Sequence, residues 1–321
     1  RFTREGGHSR PRILFHDDVT GKEITSKLLA LVRALPNVEI REHTELVDII
    51  AEGNECFGGV VRSEDGKLTD VYADFTLLAT GGVGGLYENS TNFRHLTGDS
   101  LAIALINGVE VEHLDYVQIH PTTFYSEKQG RRFLISESVR GEGAVLLDGE
   151  SKRFCNELMP RDVVTGDIRA QMKKEGSKFV RLDMRPVGEK TIREHFPTIC
   201  AHCLEEGYDV LKEPIPVVPA QHYFMGGVKV DLDGKTSMKR LYSAGETACN
   251  GVHGKNRLAS NSLLESLIWA ERAAKAMAAK RADVLTKMPV PDHKMYEDYA
   301  KLKKKYAQII REEAEREATI D

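Results

Sequence analysis

Ile24, Leu28, Val32 and Leu35 recur at helical spacing until Pro36 ends the run, so the pattern predicts a helix over roughly residues 21–35. Thr20 and Glu23 form a T-x-x-E capping box at its start. Short β-rich runs follow at 38–40, 46–50, 57–62 and 75–79, the last apolar enough to be buried and leading into ATGGVGG. Asp99 is then expected to cap a helix that stops at Gly108. From about 113 to 223 this alternation gives way to short strands, short helices and prolines, the texture of an inserted domain. After Gly226, GGVKVDLDGK reads as a hairpin about Asp233 and Gly234, and LYSAGE as a buried strand entering a tight turn. Leu263, Leu264, Leu267, Ile268, Ala274 and Met277 mark one long amphipathic helix. From Pro289 the chain is charged and helical, with KLKKKY followed by IIREEAEREA, a spacing expected of a solvated helix face. The expected fold is α/β with an α+β insertion. Residues 1–112 are expected to form an alternating strand-and-helix unit, 113–223 an inserted domain, 224–284 the return of the first unit, and 285–321 a helical region.

The bulk composition narrows the function. At 321 residues the chain is long enough for two cores, and 41% hydrophobic residues suits an ordinary globular protein. A formal charge of −4 leaves no basic excess to draw nucleic acid or an anionic membrane. No apolar run approaches the roughly 20 residues of a spanning helix, and RFTREGGHSR has no signal-peptide core, so a soluble cytoplasmic protein is expected. Five scattered cysteines argue against a disulfide framework. Cys200 and Cys203 share C-x-x-C spacing in TICAHCLEEG, a helix expected to end at Gly207, and no second pair completes a metal site.

The chemistry concentrates in GVHGKNRLASNSLLE at 251–265. Here His253 and Arg257 lie on glycine-punctuated backbone, and Ser262 with Glu265 forms an S-x-x-E helix start. Such a corner attracts a carboxylate or another anion. ATGGVGG, from Ala79, could turn tightly beside a cofactor, but no G-x-G-x-x-G fingerprint occurs in the chain. His120 in VQIHPTTF and His222 in PAQHYFMGG sit between proline and glycine punctuation. In FLISESVRGEGA, Ser136 and Glu137 precede Arg140, and in ELMPRDVVTGDI Arg161 leads a helix, against the helix dipole. Taken singly, each of these residues is as readily a core or surface group. They become informative together.

In this order HPT, SESVRGEGA, PRDVV, PAQHYFMGG, AGE and GVHGKNRLASNSLLE resemble the succinate dehydrogenase and fumarate reductase flavoprotein superfamily. TREGGHSRPRILFHDDVTGKEI and the ASNSLLE ending are most similar to its aspartate-oxidising branch, over residues 3 to about 280. The resemblance implies a partial, Rossmann-like FAD-binding domain with an inserted capping domain, and a dicarboxylate held between them. The family's N-terminal glycine fingerprint is missing and its C-terminal helical region looks cut short, so the chain is expected to be a fragment that retains non-covalent FAD weakly.

The resemblance also implies roles. His120, Ser136 and Glu137 would hold one carboxylate, and His222 and Arg257 the other, with a bidentate guanidinium that lysine cannot replace. Arg161 matches the proton-transfer arginine, chemically awkward for a group with a pKa above about 12. Glu5 matches an acidic position facing a substrate ammonium group. Gly6, Gly7, His8 and Ser9 would approach the flavin, as would Ala79, Thr80, Gly81, Gly82, Asp99, Glu246 and the helix start at Asn261, Ser262 and Leu263. The implied reaction is FAD-dependent oxidation of L-aspartate to iminoaspartate, with oxygen or fumarate as acceptor, at the first step of NAD biosynthesis. Quinolinate synthase is then a candidate partner. Two alternatives stay open: a fumarate reductase or succinate dehydrogenase subunit, and a non-catalytic fragment without FAD.

Overall fold

The computed structural model describes residues 2–3, 8–16, 19–280 and 288–319. Strands β1 (Phe2–Thr3) and β2 (Ile13–Leu14) pair antiparallel and lead into α1 (Thr20–Arg33). The expected capping box does not form. Val19 is the N-cap, and the Thr20 hydroxyl accepts the His16 N–H at 3.0 Å instead. None of the residues of α1 is buried, so Leu28, Leu31 and Val32 are exposed on it, with Leu35 just beyond. The expected strand at 38–40 is absent, and with no neighbouring strand to bond, Val38 and Ile40 lie exposed in irregular backbone.

Strands β3 (Thr44–Glu52), β4 (Glu55–Ser63) and β5 (Leu68–Tyr72) form an antiparallel meander. The β3–β4 turn has only Gly53 and Asn54, both at positive φ, as a two-residue turn matched to strand twist demands. Next come β6 (Thr76–Leu78) and α2 (Asp99–Ile106). Asp99 is the first helical residue, not the cap, which is Gly98 in the left-handed conformation. Strand β7 (Val111–Glu112) closes this part.

The inserted segment holds β8 (Val117–Phe124), α3 (Glu137–Gly141), β9 (Val145–Leu147), α4 (Arg161–Glu175), β10 (Val180–Asp183), α5 (Glu189–His195), α6 (Pro197–Glu205) and β11 (Ile215–Phe224). Its strands form one antiparallel sheet in the order β8-β11-β10-β9. Helix α6 does end before Gly207, which has positive φ, and all five cysteines are free.

The chain then returns. Strands β12 (Gly227–Lys229) and β14 (Ala248–Cys249) run parallel, and β13 (Leu241–Ser243) lies parallel to β6, far earlier in sequence. A turn does form at 231–235, but its outgoing arm meets Tyr242 through Lys235 and does not pair back on β12, so the expected hairpin is replaced by a crossover. Two hydrophobic cores result: one gathers residues of β3, β4, α2 and the C-terminal helix, the other residues 124–217.

Helix α7 (Asn261–Ala278) exists as expected, but its buried side is set by Glu265 and Ala273, while Leu264, Leu267 and Ile268 are exposed. Ser262 and Glu265 form no capping box, because Ser260 is the N-cap and the buried Glu265 carboxylate accepts from Asn250 at 2.5 Å. Helix α8 (Tyr299–Ala318) buries Leu302, Tyr306 and Ile310, one residue per turn, in the first core. Its charged face is largely solvated as expected, but Lys303, Glu313 and Glu317 are partly buried, and Glu317 accepts the Leu114 N–H. No helix among the described residues is long and apolar enough to cross a membrane. Nor is any group of three or more His, Cys, Asp or Glu among them placed to hold a metal.

Candidate active site

β8 and β11 lie side by side, His120 opposite Ala220, with register irregularities on either side of that stretch. This brings the rings of His120 and His222, 102 positions apart in sequence, to 5.2 Å between centroids. His120 is anchored by its Nδ1, 3.0 Å from the Thr122 carbonyl, and His222 by its Nδ1, 2.8 Å from the Thr91 hydroxyl. Burial drives both imidazoles well below the ordinary histidine value. Arg161, His222 and Arg140 push His120 further, and Arg161, Arg257 and Arg131 do the same to His222. Both rings are therefore neutral at pH 7 in the ligand-free protein.

Arg161, Arg257 and Arg140 are three of the guanidinium groups around them. Arg161, first residue of α4, gives its Nε to Glu137 Oε2 at 2.5 Å and its Nη1 to Gln118 Oε1 at 2.8 Å. Gln118, two residues before His120 on β8, donates through Nε2 to the Arg257 carbonyl at 2.7 Å and to Asn256 at 2.9 Å. One buried amide thus ties Arg161 of the insertion to the loop that carries Arg257. Arg257 lies 4.4 Å over the Tyr223 ring, and burial followed by the nearby Arg161 brings its pKa down to about 10. Arg140 Nη2 is 3.9 Å from Glu137 Oε1, so Glu137 stands between two arginines.

The donor set is left short of acceptors. Arg257 Nε, Arg140 Nε and Nη2, and His253 Nε2 are buried without a hydrogen-bond partner. His253, edge-on to Tyr223, is lowered to about 4 by burial and then by Arg257. Buried guanidinium nitrogens without acceptors are costly, and an anion accepting from Arg257 or Arg140 offsets that cost. Ser136 serves locally as the N-cap of α3, accepting from Ser138 N–H at 3.3 Å.

A second region lies against the meander. A cavity of about 630 Å³ is bounded by Glu45, Leu46, Arg62, Thr80, Thr97, Asp99 and Ser100. Thr80 Oγ1 meets the Ser100 hydroxyl, and Thr247 Oγ1 at 3.2 Å. Gly81 has positive φ, and a Cβ on Gly82 would sit 2.6 Å from Glu246 Oε1. Glu246 in turn accepts the Phe224 N–H at 3.0 Å, tying the AGE turn to the end of β11, and Thr247 Oγ1 donates to the Gly81 carbonyl at 3.0 Å, joining that turn to the ATGG loop. Ala79 is exposed at the loop entrance. Near the α7 N-terminus Arg257 Nη1 is 3.4 Å from Ser262 Oγ, with Asn261 and Leu263 exposed on either side. His8 is buried with Nε2 3.0 Å from the Ala259 carbonyl, while Ser9 is exposed. Glu5, Gly6 and Gly7 lie outside the described residues.

A family profile described as FAD binding domain matches residues 1–263. The chain belongs to the FAD binding domain family. It is 53% identical to an L-aspartate oxidase of Clostridium perfringens over 85% of its own length and 62% of that protein's. With the L-aspartate oxidase of Clostridium acetobutylicum it shares 49% identity, covering 85% of this chain and 63% of that one. The chain therefore spans a little over three-fifths of the length of these relatives. A variant of the E. coli quinol fumarate reductase FrdA superposes with a TM-score of 0.79 at 30% identity, over 95% of this chain and 55% of the other. Sdh1 of Mycobacterium smegmatis does so with 0.72 at 30%, over 94% and 54%.

FAD is the cofactor of this FAD binding domain family, and the residues present suit it. The glycine loop has no room for side chains at Gly82, Thr80 and Asp99 offer a hydroxyl and a carboxylate at the cavity, and the 18-residue α7 begins beside the arginine cleft. Gln118, Tyr223, Glu45 and Lys303 were not among the residues expected from sequence. Gln118 carried a signal, since strand alternation puts it on the same face of β8 as His120.

Proposed function

We propose that this chain is the flavin- and substrate-binding part of an L-aspartate oxidase, which oxidises L-aspartate to iminoaspartate and passes electrons to oxygen or fumarate. That is the first step of de novo NAD biosynthesis. The observation that carries the reading is the largely buried cluster of His120, His222, Arg161 and Arg257, in which Arg257 Nε has no hydrogen-bond partner. The identities of 53% and 49% to L-aspartate oxidases support the choice of substrate.

In this reading His120, Ser136 and the Glu137 region hold one carboxylate, and His222 and Arg257 the other. Arg257 is pinned over Tyr223, so its planar fork is pre-organised. Arg161 cannot swing away, because Glu137 and Gln118 hold two of its nitrogens. It acts as a fixed donor to the substrate, and the Arg161–Glu137–Arg140 string offers a route for a proton. Glu5 pairs with the substrate ammonium group. Bound FAD, held by Gly6 to Ser9, Ala79 to Gly82, Asp99, Glu246 and the Asn261–Leu263 helix start, supplies hydride acceptance. The rest of the work is orientation and electrostatics by the chain. Quinolinate synthase is the proposed consumer of the product, and the five free thiols support a cytoplasmic location.

The likeness to fumarate reductases at 30% identity supports a second reading, a subunit that interconverts succinate and fumarate. Anaerobic titration of the flavin-loaded protein decides between them. Bleaching of the flavin absorbance by L-aspartate is the expected result, and bleaching by succinate alone would reject the first reading.

A further inference from the structure

Helix α8 lies outside the region matched by the family profile, yet it bonds residues that line the cavity of about 630 Å³. Lys303, partly buried where the other lysines of KLKKKY are exposed, donates to Glu45 Oε1 at 2.9 Å, to Thr97 Oγ1 at 3.2 Å, and to Asp99 Oδ2. One turn earlier Tyr299 donates to the other Glu45 oxygen, with Arg62 stacked 4.4 Å over its ring. Thr97 also donates to Asp99 Oδ1 at 2.8 Å. Glu45 and Asp99 come from β3 and α2, elements on either side of the cavity. Without an ammonium group between them, two uncompensated carboxylates would line the cavity, which disfavours an anionic dinucleotide there.

We propose that Lys303 is a positioning residue for the cofactor: by pinning Glu45 and Asp99 it makes docking of α8 and occupation of the cavity by FAD one coupled event. The inference rests on the reading that FAD occupies this cavity. Two consequences follow from linkage. FAD stabilises the docked state of α8, and loss of Lys303 weakens FAD by uncovering the carboxylates, whichever contacts the flavin ring makes.

The test compares the purified protein with Lys303→Met, Lys303→Arg and the double variant Lys303→Met/Glu45→Gln. FAD affinity is read from flavin fluorescence, and docking of α8 from amide exchange over 299–318 with and without FAD. The expected results are slower α8 exchange with FAD, FAD binding weakened roughly tenfold or more in Lys303→Met, and recovery of most of it in the other two variants. Recovery by removing a carboxylate is a result that simple loss of packing would not give. FAD affinity within twofold of normal in Lys303→Met, or α8 exchange indifferent to FAD, overturns the proposal alone. If Lys303→Met fails to fold, the exchange result on the natural protein decides. A natural protein that takes up no FAD overturns the cofactor reading and this proposal with it.

Discussion

Glu137 Oε2 lies 2.5 Å from Arg161 Nε, and both side chains are buried. The same carboxylate faces Arg140, so one anion sets the position of two cations. Removing one member of such a cluster exposes the others to mutual repulsion in a poorly solvated place. Glu137→Gln keeps the shape but not the charge. The expected outcome is turnover lowered on the order of 100-fold, with most of the loss in kcat, since a bound dicarboxylate still finds the histidines and Arg257. Steady-state kinetics checks this, and a loss confined to KM would make Glu137 a binding group only.

Arg257 combines an orphaned Nε, a lowered pKa and a stacked ring, the marks of a cation held ready for a ligand at some expense to the empty protein. Arg257→Ala and Arg257→Lys should both lose dicarboxylate turnover by at least about 100-fold, because lysine cannot offer two parallel donors. Arg257→Met, which fills the space without charge, should leave ligand-free stability unchanged or raise it by about 1 kcal/mol. Thermal unfolding distinguishes the cases: a large drop in Tm for Arg257→Met would show that the guanidinium holds the fold together.

Sequence periodicity located most helices but not their orientation. Leu264, Leu267 and Ile268 mark α7 correctly as amphipathic, yet it is the side of Glu265 and Ala273 that faces inward, because the buried Glu265 and its polar partner Asn250 are invisible to a hydrophobicity pattern. Both capping motifs failed for a related reason. A cap depends on where the chain enters the helix, and at Val19 and Ser260 that entry comes earlier than the motif assumes. Histidines and arginines of the cleft were legible because proline and glycine punctuate them. Gln118 carried only the signal of strand alternation, since its partners Arg161, Asn256 and Arg257 come from distant segments. Lys303 was hidden in a run of lysines whose plain reading is solvent exposure.

The neutral histidines predict a proton-linked affinity. His120 and His222 both sit well below their ordinary value, chiefly through burial and then through the arginines. A dicarboxylate arriving between them favours the imidazolium form, so each pKa rises on binding and protons are taken up. Affinity for an unreactive dicarboxylate such as malonate should increase as pH falls from about 8 to 6. Calorimetry in two buffers of different ionisation heat measures the uptake directly. No proton uptake at pH 7 would mean that these rings do not face the ligand.

Glu246 gives the opposite kind of signal, read from stability in the absence of any ligand. Burial, against the Phe224 N–H bond and Arg257, brings its carboxyl up to about 7. Its folded pKa therefore lies above its unfolded one, and between roughly pH 4.5 and 7 the native state holds a proton that the unfolded chain has lost. The protonated form contributes stability that is fully present at the acid end of this window and is lost as pH rises through about 7. Allowing for its partial exposure, the loss is on the order of 1–2 kcal/mol. Glu246→Gln mimics the protonated group, so its unfolding midpoint should fall less than that of the natural protein between pH 5 and 8, and should exceed it at pH 8. Parallel pH profiles for the two proteins would place the charge of Glu246 in solvent and remove it from the wall of the glycine loop.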